Sequence, residues 1–174
     1  MSYYTDYKKE QILDKIIPLL FKNRNFDISL KEISAVTGIV SPVLYNYFAG
    51  VKEVNEEAYN RINSRIFELS KIKLPASIPA YLVAVTTAFN VIEFFENSKI
   101  PTVILTGPEN NRINIKPLKD KFENLFSQIK GLKQDPVFSV IILFHQIAAC
   151  VDYSRIINKP VPEDTAEKIF KTIL

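Results

Sequence analysis

Apolar residues recur at intervals of three and four along almost the whole chain, and period-two alternation is nearly absent. That spacing matches the α-helical turn and leaves no run that could give a sheet a buried face. The expectation is an all-α protein of about nine helices. Residues 5–22 set Ile12, Leu13, Ile16, Ile17, Leu19 and Leu20 against Lys8, Lys9, Asp14, Lys15 and Lys22. Pro18 lies inside that helix and deprives the Asp14 carbonyl of its partner, so a kink is expected there; Asn23-Arg24-Asn25 supplies the predicted stop. Residues 51–72 carry Val54, Ala58, Ile62, Ile66 and Leu69 on one face. Leu74-Pro75 to Pro79 marks a boundary, followed by helices at 80–97, at 117–130 with Gly131 closing it, and from Pro136 to about Ile157. Residues 98–115 read as a loop. The last helix carries Ala166, Ile169, Phe170, Ile173 and Leu174 at helical spacing.

Composition excludes several functions. The chain has 174 residues, 47% apolar and 24% charged, an ordinary globular balance. Only four glycines occur (Gly38, Gly50, Gly107 and Gly131), too few and too scattered for a phosphate-cradling loop or a dinucleotide fingerprint. No cofactor is therefore expected. With one histidine and one cysteine, neither an internal disulfide nor a His/Cys zinc site can form, and a reducing, cytoplasmic setting is expected. Net charge is +3 and evenly spread, so any basic surface must be a local patch. The start, MSYYTDYKKE, has no apolar h-region. The longest apolar stretch, 136–151, is broken by Ser139, His145 and Gln146 and reads as falling short of a bilayer span of roughly 20 residues. A soluble protein with no membrane partner is expected.

Local signals are densest between residues 29 and 47. Ser29-Leu30-Lys31-Glu32 is a capping box, and the helix it opens carries Ile33 and Val36 before a stop at Gly38. Ser41-Pro42 reads as N-cap and first helical position, with Val40 and Tyr45 placed for a hydrophobic staple. The predicted helix, Pro42 to Tyr47, is barely two turns long. Two short helices joined by a glycine turn make a helix-turn-helix layout. The chain thus divides into an N-terminal three-helix domain over 1–50 and a second helical domain over 51–174.

Residues 33–54, ISAVTGIVSPVLYNYFAGVKEV, resemble the DNA-binding domain of the TetR family of one-component transcriptional regulators. Ile33, Gly38, Leu44, Tyr45, Tyr47, Phe48 and Glu53 fall in register with that family's pattern, and Ile12-Leu13-Asp14 lies at the usual distance upstream. Pro18, Arg24, Val40, Val43 and Val51 depart from it; Lys52 stands beside the place where the family carries a lysine. After residue 75 the similarity is one of helix order alone. The resemblance implies a regulator, expected to be a repressor, that binds a pseudo-palindromic double-stranded DNA operator as a homodimer. Residues 51–174 would then be a ligand-binding and dimerisation domain.

The DNA-contacting set that follows is Ser29, Lys31, Ser41, Pro42, Val43, Tyr45, Asn46, Tyr47 and Lys52. Tyr45 and Tyr47 are two apart and cannot both face a core, so at least one should be largely exposed, where a phenol can donate to phosphate. Ser41, Pro42 and Val43 would meet the major groove; Pro42 and Val43 offer only apolar contact. Lys31 and Lys52 fit phosphate neutralisers and ordinary solvated lysines equally well. His145 and Cys150, five apart on one helix, diverge by about 140° and make no catalytic pair. Glu93 falls on a polar stripe with Thr86, Asn90 and Asn97, so it and Glu96 read as part of a solvated face.

Helix 136–157 is apolar nearly all round and must be covered on more than one side. Pairing with the last helix across a two-fold axis would satisfy it. Phe138, Ile142, His145, Ala149 and Asp152 share a face. If that face turns inward, His145 joins Phe89, Phe122 and Phe126 around an apolar cavity for a small apolar or amphipathic effector. The same phenylalanines could instead fill an aromatic core. Two other classes stay open: a helical enzyme, which lacks any nucleophile–base set, and a helical protein-interaction adaptor without DNA binding.

Overall fold

The computed structural model describes residues 3–21, 27–98, 100–107 and 112–174. Among them every regular element is helical: α1 (Tyr3–Leu20), α2 (Leu30–Thr37), α3 (Ser41–Leu44), α4 (Val51–Ser70), α5 (Ala80–Ser98), α6 (Val103–Thr106), α7 (Lys116–Ser127), α8 (Pro136–Ile157) and α9 (Thr165–Ile173). The protein is all-α. It forms two compact units, Met1–Ile62 and Asn63–Leu174, divided inside α4. The stop expected at Asn23-Arg24-Asn25 lies outside the described residues.

In the first unit the 3.6-residue period is realised directly. Ile12, Leu13, Ile16, Ile17 and Leu20 of α1 are buried with Ile33, Leu44, Phe48, Val54, Ala58 and Ile62. Pro18 is tolerated because α1 ends two residues later. The flanks of α1 and α4 are tied by ion pairs: Lys9 Nζ lies 3.0 Å from the Glu57 carboxylate, and Arg61 reaches Asp14 at 2.7 Å and also Glu10. The segment before α2 is fixed from below by a buried amide. Asn55 Oδ1 accepts from Ile28 N at 3.0 Å, and Asn55 Nδ2 donates to Ile28 O at 3.2 Å.

The second unit packs α5, α7, α8 and α9 around a cluster of phenylalanines. The Phe122 and Phe126 rings lie 6.1 Å apart, Phe144 meets Phe122 edge-on at 5.8 Å, and Phe170 lies 5.6 Å from Phe126. A polar clasp closes one end. Glu96 accepts from Ser154 Oγ at 2.8 Å and from Val161 N at 2.6 Å, Thr102 Oγ1 donates to Asp152 at 2.7 Å, and Arg155 donates to Ile100 O at 2.8 Å. Glu96 is thus a structural acceptor rather than part of a solvated face.

Several expectations are corrected here. The stretch 98–115 is not all loop: α6 forms within it and closes at Gly107, where a Cβ would sit 2.6 Å from Val103 O. Helix α7 ends at Ser127, three residues early, with Gly131 beyond it at φ +89°. Helix α8 runs 22 residues and is, by length and composition, apolar enough to cross a membrane. Its breaks at Ser139 and Gln146 do not shorten it, since an α-helix absorbs isolated polar residues. The strip on α9 expected to be free for a partner is already used: Ala166, Ile169, Phe170 and Ile173 are buried within the unit.

Candidate nucleic-acid interface

The candidate surface is built on a capped short helix. Glu32 N donates to Ser29 Oγ at 3.4 Å, Ser29 N donates back to the Glu32 carboxylate at 2.8 Å, and the Ser29 hydroxyl reaches the same carboxylate at 2.6 Å. The capping box is formed as the sequence implies, which leaves Ser29 with its hydroxyl engaged. Gly38 ends α2 at φ +73°, its N–H on Ser34 O at 3.0 Å. The turn is tightened by Thr37, whose hydroxyl donates to Ile33 O at 2.7 Å and accepts from Ile39 N at 3.2 Å.

Helix α3 is shorter than the Pro42–Tyr47 span expected, and its cap is displaced by one residue. Val40, extended at φ −73° and ψ 149°, is the N-cap, and its carbonyl accepts from Val43 N and Leu44 N. Ser41 is therefore the first helical residue, with no side-chain cap bond at this end. Residues 45–47 continue as tighter turns, Asn46 N on Val43 O at 3.1 Å and Tyr47 N on Leu44 O at 2.9 Å. The expected staple of Val40 on Tyr45 does not cover either side chain: they are 61% and 52% exposed.

What holds this segment down is Leu44 and Phe48, both buried. The Lys9 ammonium stands 4.9 Å from the Phe48 ring centre, a favourable placement over the negative face of the ring. With those two inward, Pro42, Val43, Tyr45 and Asn46 are exposed, while Ser41 and Tyr47 are half-buried. Exposed Lys31 and Lys52 stand on α2 and on the first turn of α4; Lys52 is 3.7 Å from Glu56 in a solvated pair worth little. All nine candidate DNA-contacting residues thus belong to the first unit, on α2 and its N-cap Ser29, α3 with its following turn, and the start of α4. Glu53, on the same turn of α4 as Lys52, folds back to accept from Ala49 N.

The four candidate effector residues are not brought together. Phe122 and Phe126 are fully buried in the aromatic cluster. Phe89 is 39% exposed, and His145 is exposed with Nδ1 2.8 Å from Ile141 O. On the α8 face expected to turn inward, Phe138, His145, Ala149 and Asp152 are exposed and Ile142 is half-buried, because Phe144, Ile147, Ala148 and Val151 occupy the inner one. Phe122 and Phe126 belong to a packed aromatic core rather than to a cavity wall, and Phe89 is not among its ring contacts. Cys150 is half-buried, and burial pushes its thiol above the ordinary range.

Sequence reasoning missed Asn55 and the exposure of Val36 and Val40. An asparagine inside an apolar helical face was the available signal for the first. For the valines, the signal was a surface helix pair too short to bury every apolar residue it carries. No protein-family profile matches the chain, and no curated protein matches it.

Proposed function

We propose that this chain is a DNA-binding transcriptional regulator of the TetR type, a cytoplasmic repressor that binds a pseudo-palindromic double-stranded operator as a homodimer. In this reading α1, α2 and α3 are a helix-turn-helix domain, and α3 with its following turn enters the major groove. The rest of the chain provides dimerisation. The observation that carries the reading is the local arrangement over residues 29–48. A capped α2 and a left-handed Gly38 lead into α3, anchored by Leu44 and Phe48, with Val43, Tyr45 and Asn46 turned to solvent. Helix α8 is read as the core helix of a soluble unit, since it buries Leu143, Phe144, Ile147 and Val151 against protein. Release by a small apolar or amphipathic effector belongs to the same proposal, and its site is not the closed core around Phe122 and Phe126.

The test is selection of bound duplexes from random sequence, followed by affinity measured against salt. Binding should fall linearly with the logarithm of salt concentration, as phosphate neutralisation requires. Tyr47→Phe and Lys52→Ala should weaken all duplexes about equally, each by roughly fivefold for the loss of one backbone contact worth about 1 kcal/mol. The adaptor reading is favoured by one observation, the absence of any charged side chain over residues 33–51. A chain that binds no duplex even at low salt would overturn the DNA reading and leave the adaptor.

A further inference from the structure

Residues 33–51 are uncharged, and most of the side chains they present to solvent are apolar. Val36, Val40, Val43 and Tyr45 are all exposed, with Ala35 and Pro42 beside them in sequence and exposed as well. The Thr37 hydroxyl is spent on the Ile33 carbonyl. Asn46 is the one exposed side-chain amide on α3 and its turn.

The edges of this stretch carry charge of both signs. It is bracketed in sequence by Lys31-Glu32 and by Lys52-Glu53. Both glutamates are drawn onto backbone amides, Glu32 on Ser29 N and Glu53 on Ala49 N. Both lysines are exposed. With an exposed lysine at each edge able to reach phosphate, the apolar centre between them fits a groove edge that is itself partly apolar. In the major groove the apolar feature is the thymine C5-methyl group, while guanine and adenine are read by side chains able to bond in pairs. No arginine or lysine lies between Lys31 and Lys52 to make such a pair with guanine.

Resting on the DNA-binding reading above, we propose that this surface selects its half-site by thymine C5-methyl groups, contacted by Val40, Pro42 and Val43, rather than by hydrogen bonds to base edges. The specificity-determining residues are then the valines on either side of Ser41-Pro42, and Tyr47 and the lysines act through the backbone. Because 5-methylcytosine carries its methyl at the same ring position, it would satisfy the same apolar contact.

The experiment uses the full chain and the duplex recovered by selection from random sequence. Deoxyuridine replaces thymidine at one half-site position at a time, which removes the methyl and leaves every hydrogen-bonding group in place. The expected result is about a fourfold loss at each contacted position, the burial of one CH₂-sized group at about 0.8 kcal/mol. Val40→Ala and Val43→Ala should each erase that penalty at one position, and neither should disturb folding, because both side chains are exposed. Uracil bound as tightly as thymine at every position would overturn methyl selection while DNA binding stands. Failure to bind any duplex would overturn both.

Discussion

The side-chain amide of Asn55 pairs with both backbone groups of Ile28, accepting from its N–H at 3.0 Å and donating to its carbonyl at 3.2 Å. Asn55 is 7% exposed and Ile28 2%, so water cannot replace either bond. The contact joins α4 to the residue that precedes the capping box, and thereby fixes where α2 begins. Asn55→Leu would leave a buried N–H and a buried C=O unpaired. Each such group costs about 1–3 kcal/mol, so the variant should lose roughly 3 kcal/mol in urea unfolding. Asn55→Leu with wild-type stability would mean that the segment before α2 readjusts to find other partners.

Much of the fold was legible from periodicity because burial follows it closely. Ile12, Leu13, Ile16 and Ile17 on α1, and Val54, Ala58, Ile62 and Ile66 on α4, are all buried as their spacing implies. The cap of α2 was legible for a different reason, since Ser29 and Glu32 satisfy each other locally. Elements whose form depends on distant packing were not. Helix α6 is a single turn set between Thr102, bonded to Asp152, and Gly107, and nothing within residues 98–115 announces it. The direction in which α8 faces was equally hidden. An all-round apolar helix has no polar side to point outward, so its inner face is decided by its neighbours.

Gly38 holds a left-handed conformation at φ +73°, with nothing within 4 Å of the place a Cβ would occupy. The cost of a side chain there is therefore backbone strain and not crowding. Gly38→Ala should destabilise the chain by about 1 kcal/mol, strain of about 1–2 kcal/mol being partly offset by the lower entropy of the unfolded alanine chain. Gly50 has equally open surroundings and no such φ, so Gly50→Ala should be near neutral. Paired urea titrations decide this. Equal effects at the two sites would remove the conformational explanation of the α2 stop.

Cys150 offers a chemical readout of the packing on α8. Burial raises its thiol pKa, so at a given pH less of it is thiolate in the folded chain than in the unfolded one. Alkylation by iodoacetamide near pH 8 should be several-fold slower in buffer than in urea. The sign for stability follows. The folded state favours the protonated thiol, so its contribution is fully present below the ordinary thiol pKa and is lost as pH rises through the raised value of the folded chain. Equal alkylation rates in the two conditions would show that α8 does not shield this position.

The proposed homodimer makes a demand on α8 that differs from the one on α9. Ile141, Tyr153 and Ile156 of α8 are 47%, 63% and 81% exposed, whereas Ile169 and Phe170 of α9 are 6% and 0% exposed. Along 22 residues a helix is about 33 Å long, ample for one face of a two-fold contact. A glutamate at Ile156 meets solvent in the free chain and an apolar partner in the dimer. Ile156→Glu, and Ile141→Glu with it, should therefore give a folded monomer, with unchanged helical circular dichroism and half the mass by light scattering. Ile169→Glu places an unpaired charge among buried side chains and should cost several kcal/mol, lowering the melting temperature sharply whatever the association state. The two classes of variant separate loss of partner from loss of fold. A dimer that survives both α8 substitutions would place the contact elsewhere, and a wild-type chain that is monomeric at micromolar concentration would remove the dimer from the proposed function.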